Sequence, residues 1–208
     1  MSTEQLYDVW SSTYDTVVNK TRDLEKVACQ KILSSISFET VIELGCGTGK
    51  NTEWLATQAK HVTAVDLSAD MQAVAKQKIK NGNVEFRLAD ITKLWDFGQI
   101  KVDLITCSLI LEHVADLDPI FAEAYRHLNT NGHFYVCELH PFRQYNGSKA
   151  RFENEEGMRV LEYFTHDISD FTGAALKNGL SVVGLEEWFD DDERTATPRL
   201  ASFLFLKN

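Results

Sequence analysis

The chain has 208 residues, of which 44% are apolar and 25% are charged, and these values predict one soluble globular domain over residues 1–208. A formal net charge of −10 disfavours nucleic acid and anionic membranes as main partners. Four cysteines without a C-x-x-C pair predict reduced thiols and a cytoplasmic location, and we expect neither a signal segment nor a membrane span.

The predicted elements alternate between short apolar strands and helices. Near-continuous apolar character is typical of parallel strands that are covered on both faces. Ser68 is a candidate N-cap for the helix after the second strand, and Asp118-Pro119 begins a later helix that Asn131-Gly132 is expected to end. Right-handed crossovers then give an open, doubly wound sheet whose ligand lies beyond the carboxyl ends of the strands. The five predicted strands are Val41–Leu44, Val62–Val65, Val84–Leu88, Val102–Thr106 and Phe134–Glu138.

The turn after the first strand carries three alternating glycines, Gly45, Gly47 and Gly49, where a helix is expected to begin. Glycine lets the backbone approach a ligand closely, and the helix presents unpaired N–H groups to that ligand. Lys50 stands where the dinucleotide fingerprint has its third glycine, and Glu43 would repel a pyrophosphate but attract an ammonium or a sulfonium. The turn therefore predicts a cationic ligand and disfavours an NAD-dependent oxidoreductase.

The pattern changes after the fifth strand. Residues 140–165 are polar, contain aromatic residues and are weakly periodic, which predicts an insertion over the site before a helix from Asp167 to Lys177. Two last apolar runs, Leu180–Leu185 and Leu200–Leu206, predict an antiparallel pair at the edge of the sheet.

At four points the chain resembles the class I S-adenosylmethionine-dependent methyltransferases, in particular the small-molecule branch that includes quinone-biosynthesis and malonyl-carrier-protein enzymes. The strongest point is Glu43–Gly49, and the others are Val65–Ser68, Ala89–Ile91 and Cys107–Val114. The resemblance spans residues 35–140, and its motifs are specific in combination. It implies an α/β fold with a doubly wound, Rossmann-like, seven-stranded, mostly parallel sheet, an antiparallel last strand beside the fifth, and helices on both faces.

The resemblance also implies which residues hold the cofactor, S-adenosylmethionine. Asp66 would accept hydrogen bonds from both ribose hydroxyls, and Leu67 would lie on the adenine. Asp90 and Ile91 match the family's adenine-reading acid and its apolar neighbour, whereas Cys46 is interpreted as a small filler and not as a nucleophile. The predicted cofactor-binding set is Tyr14, Glu43, Gly45, Cys46, Gly47, Gly49, Asp66, Leu67, Met71, Asp90, Ile91, Cys107 and Ser108.

Near the N-terminus, Tyr7, Trp10 and Tyr14 have helical spacing. A stripe of this kind most often packs in a core. The resemblance implies in addition that residues 1–35 form a helical lid over the cofactor, with Tyr14 as the lid residue, because an electron-rich ring suits a sulfonium.

Methyl transfer depends mainly on positioning, and a base helps only when the acceptor arrives protonated. We favour His140 as that base, because it follows the fifth strand and precedes Pro141, where the chain is expected to turn across the site. Tyr145 and His113 are further catalytic candidates. No short ligand spacing supports a metal, so no metal is predicted. The alternatives considered for the base are Glu138, Tyr163 and His166.

The sequence thus predicts a methyltransferase that acts on an oxygen or nitrogen atom of a small metabolite. Two alternatives stay open: a cofactor-binding regulatory or scaffold protein without turnover, and a methyltransferase for a protein or carrier-bound acceptor. Residues 128–133 depart from the family's usual Leu-Lys-Pro-Gly-Gly turn, and the arginine-asparagine signature of the quinone branch is absent, which disfavours a quinone substrate. The acceptor and the oligomeric state stay undetermined.

Overall fold

The computed structural model describes residues 2–97, 101–149, 151–154 and 157–208, with the backbone alone for residues 151–154 and 158. Strands and helices alternate through its first two thirds. The helices are α1 Thr3–Trp10, α2 Lys20–Leu33, α3 Lys50–Gln58, α4 Ala69–Lys78, α5 Asp118–His127, α6 Pro141–Tyr145 and α7 Ile168–Lys177, with short 3₁₀ turns at Leu111–His113 and Asp190–Asp192. The strands are β1 Thr40–Leu44, β2 His61–Asp66, β3 Val84–Leu88, β4 Val102–Ser108, β5 Leu128–Leu139, β6 Arg151–Asn154, β7 Gly157–Val160, β8 Leu180–Trp188 and β9 Leu200–Lys207.

Seven of these strands form one sheet in the order β3-β2-β1-β4-β5-β9-β8. The central pairs are parallel, and Val41 of β1 lies opposite Val62 of β2 on one side and Leu104 of β4 on the other. Strand β9 runs antiparallel to both of its neighbours, with Phe205 opposite Phe134 of β5. The predicted fold class, including the inserted antiparallel last strand, is confirmed. Strands β6 and β7 form a separate hairpin.

Successive residues of the parallel strands face two different apolar layers, because strand side chains alternate in direction. Ile42 joins the layer that holds Phe121 of α5 and Phe171 of α7. Val41 joins the opposite layer with Leu33 of α2. Helices therefore cover both faces, and the carboxyl ends of the strands are left for a ligand. Within the described ranges, no helix is long and apolar enough to cross a membrane.

The end of α5 differs from the prediction. The helix that begins at Asp118 ends at His127, and not at Asn131-Gly132, because the backbone of Leu128 is already extended (φ −80°, ψ 141°) and pairs with Val102. Asn131, with φ 63°, lies within β5, where the pairing with β4 shifts register. Asn131-Gly132 therefore belongs to an irregular part of β5 and does not end the helix.

The segment 1–35 divides into two parts with different tasks. Helix α2 packs on the sheet and buries Leu33 in the core, whereas α1 lies across the strand ends and buries Trp10 against Met71 of α4. The helical spacing does not extend to Tyr14, because α1 ends at Trp10, yet the two rings still meet edge to face at 4.8 Å between centroids. Only α1 and the loop after it are placed as a lid, and the lid role stays a proposal.

Candidate functional site

A cavity of about 500 Å³ lies at the carboxyl ends of β1, β2 and β4, next to α1. Its volume is in the range of small-molecule sites. Four of the predicted residues, Gly49, Cys107, His140 and Tyr145, do not line it. The predicted residues that do line it are Tyr14, Glu43, Gly45, Cys46, Gly47, Asp66, Leu67, Met71, Asp90, Ile91, Ser108 and His113.

The three glycines of the turn serve different purposes. A Cβ on Gly45 would lie 2.3 Å from Ile110 Cδ1, so glycine is needed there for packing. A Cβ on Gly47 would meet no atom within 4 Å and would project into open space at the cavity. Gly49 (φ 86°) instead caps α3, and a Cβ there would lie 2.5 Å from Ile79 Cδ1. Gly47 is therefore the position where a ligand can approach the backbone most closely.

Asp66 fixes the glycine turn from the end of β2. Its Oδ2 accepts the N–H of Gly47 at 2.6 Å, and its Oδ1 accepts the N–H of Ser68 at 2.8 Å. Burial raises the pKa of this carboxyl, although the two backbone donors oppose the shift. Each carboxylate oxygen keeps a further lone pair toward the cavity. Leu67, next to it, is 36% exposed at the cavity rim and offers an apolar surface that a ligand could cover.

Glu43 places an acid at the floor of the cavity. Its Oε2 accepts a hydrogen bond from Thr52 Oγ1 at 2.5 Å, and the side chain is buried. Burial raises the pKa of Glu43 to about 8, and the neighbouring Glu25 adds to the rise. A cationic ligand would favour the ionised form, because an opposite charge lowers the pKa of a carboxyl. The predicted preference for a cation thus has a physical basis in this geometry.

The end of β4 offers two unused hydroxyl groups. Among the described residues, the buried Thr106 Oγ1 and Ser108 Oγ have no hydrogen-bond partner, and both residues line the cavity. Buried polar atoms of this kind call for a partner, which a ligand can supply. Cys107, between them, points into the apolar core because strand side chains alternate. Cys46 does line the cavity, and burial raises the pKa of its thiol well above the usual value, in keeping with an inert filler.

Polar and charged residues of α2 and α3 also line the cavity, and the sequence analysis did not predict them. Lys50 Nζ lies 3.1 Å from Glu25 Oε2, and Asn51 Nδ2 donates to both oxygens of Glu25 at 3.1 Å. The Arg22 guanidinium stacks on the Tyr14 ring at 4.1 Å. The partners lie 8 to 28 positions apart in sequence, so no local spacing would have indicated them.

His113 has one ring nitrogen available as an acceptor. Its Nδ1 donates to the carbonyl of Glu162 at 2.6 Å, so the Nδ1–H form is fixed, and its Nε2 lies 3.0 Å from Tyr7 Oη. Burial raises the pKa of Tyr7 well above its usual value, so the phenol stays protonated. Its O–H therefore donates a hydrogen bond to Nε2 of His113. Both rings line the cavity. His113 is therefore the predicted catalytic residue that the fold brings to the site.

Glu138 sets the position of His113 from the end of β5. Its Oε1 accepts the N–H groups of Ile110 at 3.0 Å and Leu111 at 2.9 Å, which holds the 3₁₀ turn that carries His113. Burial raises the pKa of Glu138 to about 8, with a further contribution from Glu112. Glu138 does not line the cavity, and its Oε1 holds this backbone turn in place.

The favoured base, His140, and the further candidate Tyr145 do not line the cavity. His140 is 1% exposed, its Nδ1 accepts the N–H of Phe142 at 3.2 Å, and its Nε2 lies 3.1 Å from Glu187 Oε1. Tyr145 is 63% exposed and donates to Asp167 Oδ1 at 2.7 Å. The geometry therefore corrects the choice of His140 and Tyr145, because one ring caps α6 and the other faces solvent.

The remaining alternatives for the base lie outside the cavity as well. The Nε2 of His166 donates to the carbonyl of Val114 at 2.7 Å, and Tyr163 lies under the Lys149 ammonium at 5.7 Å. In the part of the chain that the structure describes, no group of three or more His, Cys, Asp or Glu side chains is placed to hold a metal ion.

Residues 42–136, from β1 to the end of the apolar part of β5, match a family model described as a methyltransferase domain. The matched residues make up a little under half of the 208-residue chain. Glu43, Asp66 and His113 lie within the matched residues, whereas Tyr7, Tyr14 and Arg22 of the cavity lining precede them in the chain. The resemblance inferred from the sequence motifs is thereby confirmed.

Known relatives agree with the methyltransferase domain. The demethylmenaquinone methyltransferase of Clavibacter sepedonicus is 31% identical over 139 residues, which are 64% of this chain and 56% of that protein. The ubiquinone biosynthesis O-methyltransferase of Xylella fastidiosa (strain M23) is 32% identical over 144 residues, 66% of this chain and 56% of that protein. The chain thus matches little more than half the length of these relatives. An S-adenosylmethionine dependent methyltransferase from Mesorhizobium loti superimposes with a TM-score of 0.74 at 20% identity, covering 88% of this chain and 98% of that chain, and shows the same fold.

Proposed function

We propose that the protein transfers a methyl group from S-adenosylmethionine to an oxygen or nitrogen atom of a small metabolite. The observation that carries this proposal is the lining of the 500 Å³ cavity, where a glycine turn, a strand-end carboxylate and a buried acid surround one space. When bound, S-adenosylmethionine supplies a methyl group on a sulfonium, which is already a good leaving group. The protein then has to bind, orient and, for a protonated acceptor, remove a proton.

The cavity fits the nucleoside part of this cofactor at its β2 and β3 side. The spare lone pairs of Asp66 suit two ribose hydroxyls, and the exposed Leu67 with Met71 and Ile91 offers apolar contact for a base. Asp90 uses Oδ1 for the N–H of Thr92 at 2.9 Å and keeps its second oxygen for a donor on the ligand. The open space over Gly47 admits the ligand next to the backbone.

The amino-acid part of the cofactor fits at the β1 and β4 side. The free hydroxyls of Thr106 and Ser108 provide partners for its polar groups, and Glu43 provides the negative charge for an ammonium or sulfonium. Tyr14 keeps its proposed role as a lid residue, although Arg22 already covers one face of its ring at 4.1 Å. An electron-rich ring at this place in the cavity lining suits a sulfonium.

His113 is the group we assign to proton removal. Its Nδ1–H is fixed on the carbonyl of Glu162, so the lone pair on Nε2 is directed to Tyr7 and the cavity. An acceptor O–H or N–H that displaces the Tyr7 hydroxyl, or hands its proton on through it, would reach Nε2 within hydrogen-bond distance. His113 then binds the proton that the acceptor loses.

Calorimetric titration with S-adenosylmethionine, S-adenosylhomocysteine and NADH tests the cofactor. We expect about micromolar binding of the two adenosyl ligands and none of NADH. Asp66→Asn should weaken binding by about tenfold or more, because the lost charge supports hydrogen bonds from the ribose. The matched control is Asp70→Asn, an exposed carboxyl of α4 that does not line the cavity. A preference for NADH, or equal effects of the two variants, would refute the proposal.

A cofactor-binding protein without turnover is separated by a second assay. Isotope-labelled methyl transfer to a panel of hydroxylated and aminated metabolites should yield product with the wild type and about 10²- to 10³-fold less with His113→Phe. Adenosyl-ligand binding without transfer to any member of the panel would favour the binding protein or a larger acceptor.

A further inference from the structure

A second cavity, of about 280 Å³, adjoins the first and has no part in cofactor binding as described above. Tyr7, Tyr14, Arg22 and Leu109 line both cavities, so the two spaces adjoin at these residues. Because Tyr7 also bonds His113, a molecule in the second cavity would have one end beside the group assigned to proton removal.

The lining of this second cavity is basic, in contrast to the net charge of −10 for the whole chain. Among its described residues, Arg22, Lys149 and Arg199 are cationic, and Glu112 is the acid. Arg199 is paired with Asp190, but that carboxylate also binds Arg143 at 2.9 Å, so this group of three keeps one positive charge.

Two neighbouring features keep the negative charge of this region low. Burial raises the pKa of Glu112, which reduces its negative charge. The cavity also borders the first turn of α2, through Asn19, Thr21 and Arg22. The N-terminus of a 14-residue helix adds a partial positive charge at this end.

Arg22 is the strongest single feature of the second cavity. Its residue is only 8% exposed, and within the described ranges no carboxylate forms a salt bridge with it. The guanidinium donates to the carbonyls of Tyr14 and of Val17, the latter at 2.8 Å, while its buried Nε has no hydrogen-bond partner among the residues that the structure describes. The Asp15 carboxylate interacts with this guanidinium electrostatically but does not form a salt bridge with it. An anionic ligand in direct contact would lower the remaining cost of burying the cation.

We propose that the second cavity is the methyl-acceptor pocket and that it selects a small acceptor with an oxyanion, a carboxylate or a phosphoryl group, which binds beside Arg22. This inference rests on the proposed methyl transfer. Lys149 and Arg199 add to the attraction, and Trp10 provides an apolar wall for the body of the acceptor. The oxyanion fixes one end of the acceptor, so that its reacting O–H or N–H faces Tyr7 and the first cavity.

The test uses the full chain saturated with S-adenosylhomocysteine and three probes of one shape: 4-hydroxybenzoate, 4-hydroxyphenyl phosphate and the neutral 4-hydroxybenzamide. We expect calorimetry to show at least one charged probe binding about tenfold or more tighter than the amide. The better of the two charged probes tells whether a carboxylate or a phosphoryl group is preferred. Equal binding of all three probes, or no binding of either charged probe at millimolar concentration, would overturn the proposal.

Charge variants locate the bound probe. Lys149→Glu reverses a half-buried cation of the second cavity and should weaken the charged probe about tenfold, while Lys80→Glu, the same change on an exposed lysine outside both cavities, should not. Arg22→Gln should weaken it further, and Arg22→Lys should restore part of the affinity because the charge returns without the planar fork. If the Arg22 variants do not fold, Lys149→Glu and its control still decide.

Competition separates this inference from the proposed function. We expect the charged probe and S-adenosylhomocysteine to bind at the same time, because they occupy different cavities. A charged probe that displaces it would show that Arg22 serves the cofactor, which would overturn the acceptor assignment and leave the methyl-transfer proposal intact. Failure of S-adenosylhomocysteine itself to bind would instead refute the proposed function.

Discussion

Alanine substitutions at three glycines separate the demands of folding from those of binding. Gly45, Gly47 and Gly147 all have positive φ, at 70°, 52° and 89°. A Cβ would meet nothing within 4 Å at Gly47 and Gly147, whereas it would lie 2.3 Å from Ile110 Cδ1 and Cγ1 at Gly45. Of the three, Gly147 is the one outside both cavities, so Gly147→Ala is the matched control for backbone strain.

The expected magnitudes follow from these contacts. A left-handed conformation costs an alanine about 1–2 kcal/mol, so Gly147→Ala and Gly47→Ala should lower the free energy of unfolding by that amount. Gly45→Ala adds an overpacking cost of about 1–3 kcal/mol, for a total of about 2–5 kcal/mol. If the new Cβ on Gly47 takes space that the ligand needs, a similar cost of about 1–3 kcal/mol falls on binding, which is about 5- to 150-fold in Kd.

The assays are denaturant unfolding for stability and calorimetry with S-adenosylhomocysteine for binding. We expect Gly47→Ala to match Gly147→Ala in stability and to differ from it in affinity. Unchanged affinity in Gly47→Ala would refute the argument that this backbone position is left open for the ligand. Equal stability of Gly45→Ala and Gly147→Ala would show that Ile110 moves aside at little cost.

Further predictions concern the buried acids and the proposed base. Because the pKa of Glu43 is raised from 4.5 to about 8, the ligand-free protein should lose stability as pH rises between these values, by up to about 1.4 kcal/mol per pH unit, and Glu43→Gln should make the decline in a denaturant series shallower. Tyr7→Phe leaves Nε2 of His113 without its donor and should change the pH profile of methyl transfer more than the calorimetric affinity for S-adenosylhomocysteine. His140→Gln and Tyr145→Phe should leave transfer rates within about threefold of wild type, because neither side chain lines the cavity; a loss comparable to that of His113→Phe would restore the original assignment.

The sequence predicts those parts of the fold that local pattern controls. Apolar runs predict the strands, because parallel strands are buried on both faces, and the strand-end positions of Gly47 and Asp66 predict their meeting at the cavity. The structure confirms this meeting, because Gly47 N donates a hydrogen bond to Asp66 Oδ2 at 2.6 Å. The motif predicted Cys107 and Ser108 but not Thr106, whereas the alternation of strand side chains turns Cys107 into the core and Thr106 and Ser108 to the cavity.

The parts that sequence did not predict depend on contacts across long separations. Glu25 is a buried acid whose partner, Lys50, lies on the next helix, and Tyr7 bonds a histidine 106 positions away. The basic character of the second cavity combines the start of α2 with Lys149 and Arg199, which stand in three distant parts of the chain. No spacing rule connects such residues, because the fold alone determines which loops meet.

The order of the strands in the sheet determines which of His113 and His140 reaches the cavity. Both histidines follow the carboxyl end of a parallel strand, and the sequence analysis favoured His140 because Pro141 follows it. Strand β4 lies beside β1, where connections leave toward opposite sides of the sheet and open a crevice, and His113 follows β4 into it. Strand β5 lies between β4 and the antiparallel β9, and the N–H of His140 bonds Arg199 of the segment entering β9 at 2.9 Å while its ring meets Glu187 of β8. The inserted last strand therefore covers the end of β5, and His140 with it. His113, which follows β4, lies at the crevice, and we therefore assign the proposed proton transfer to it.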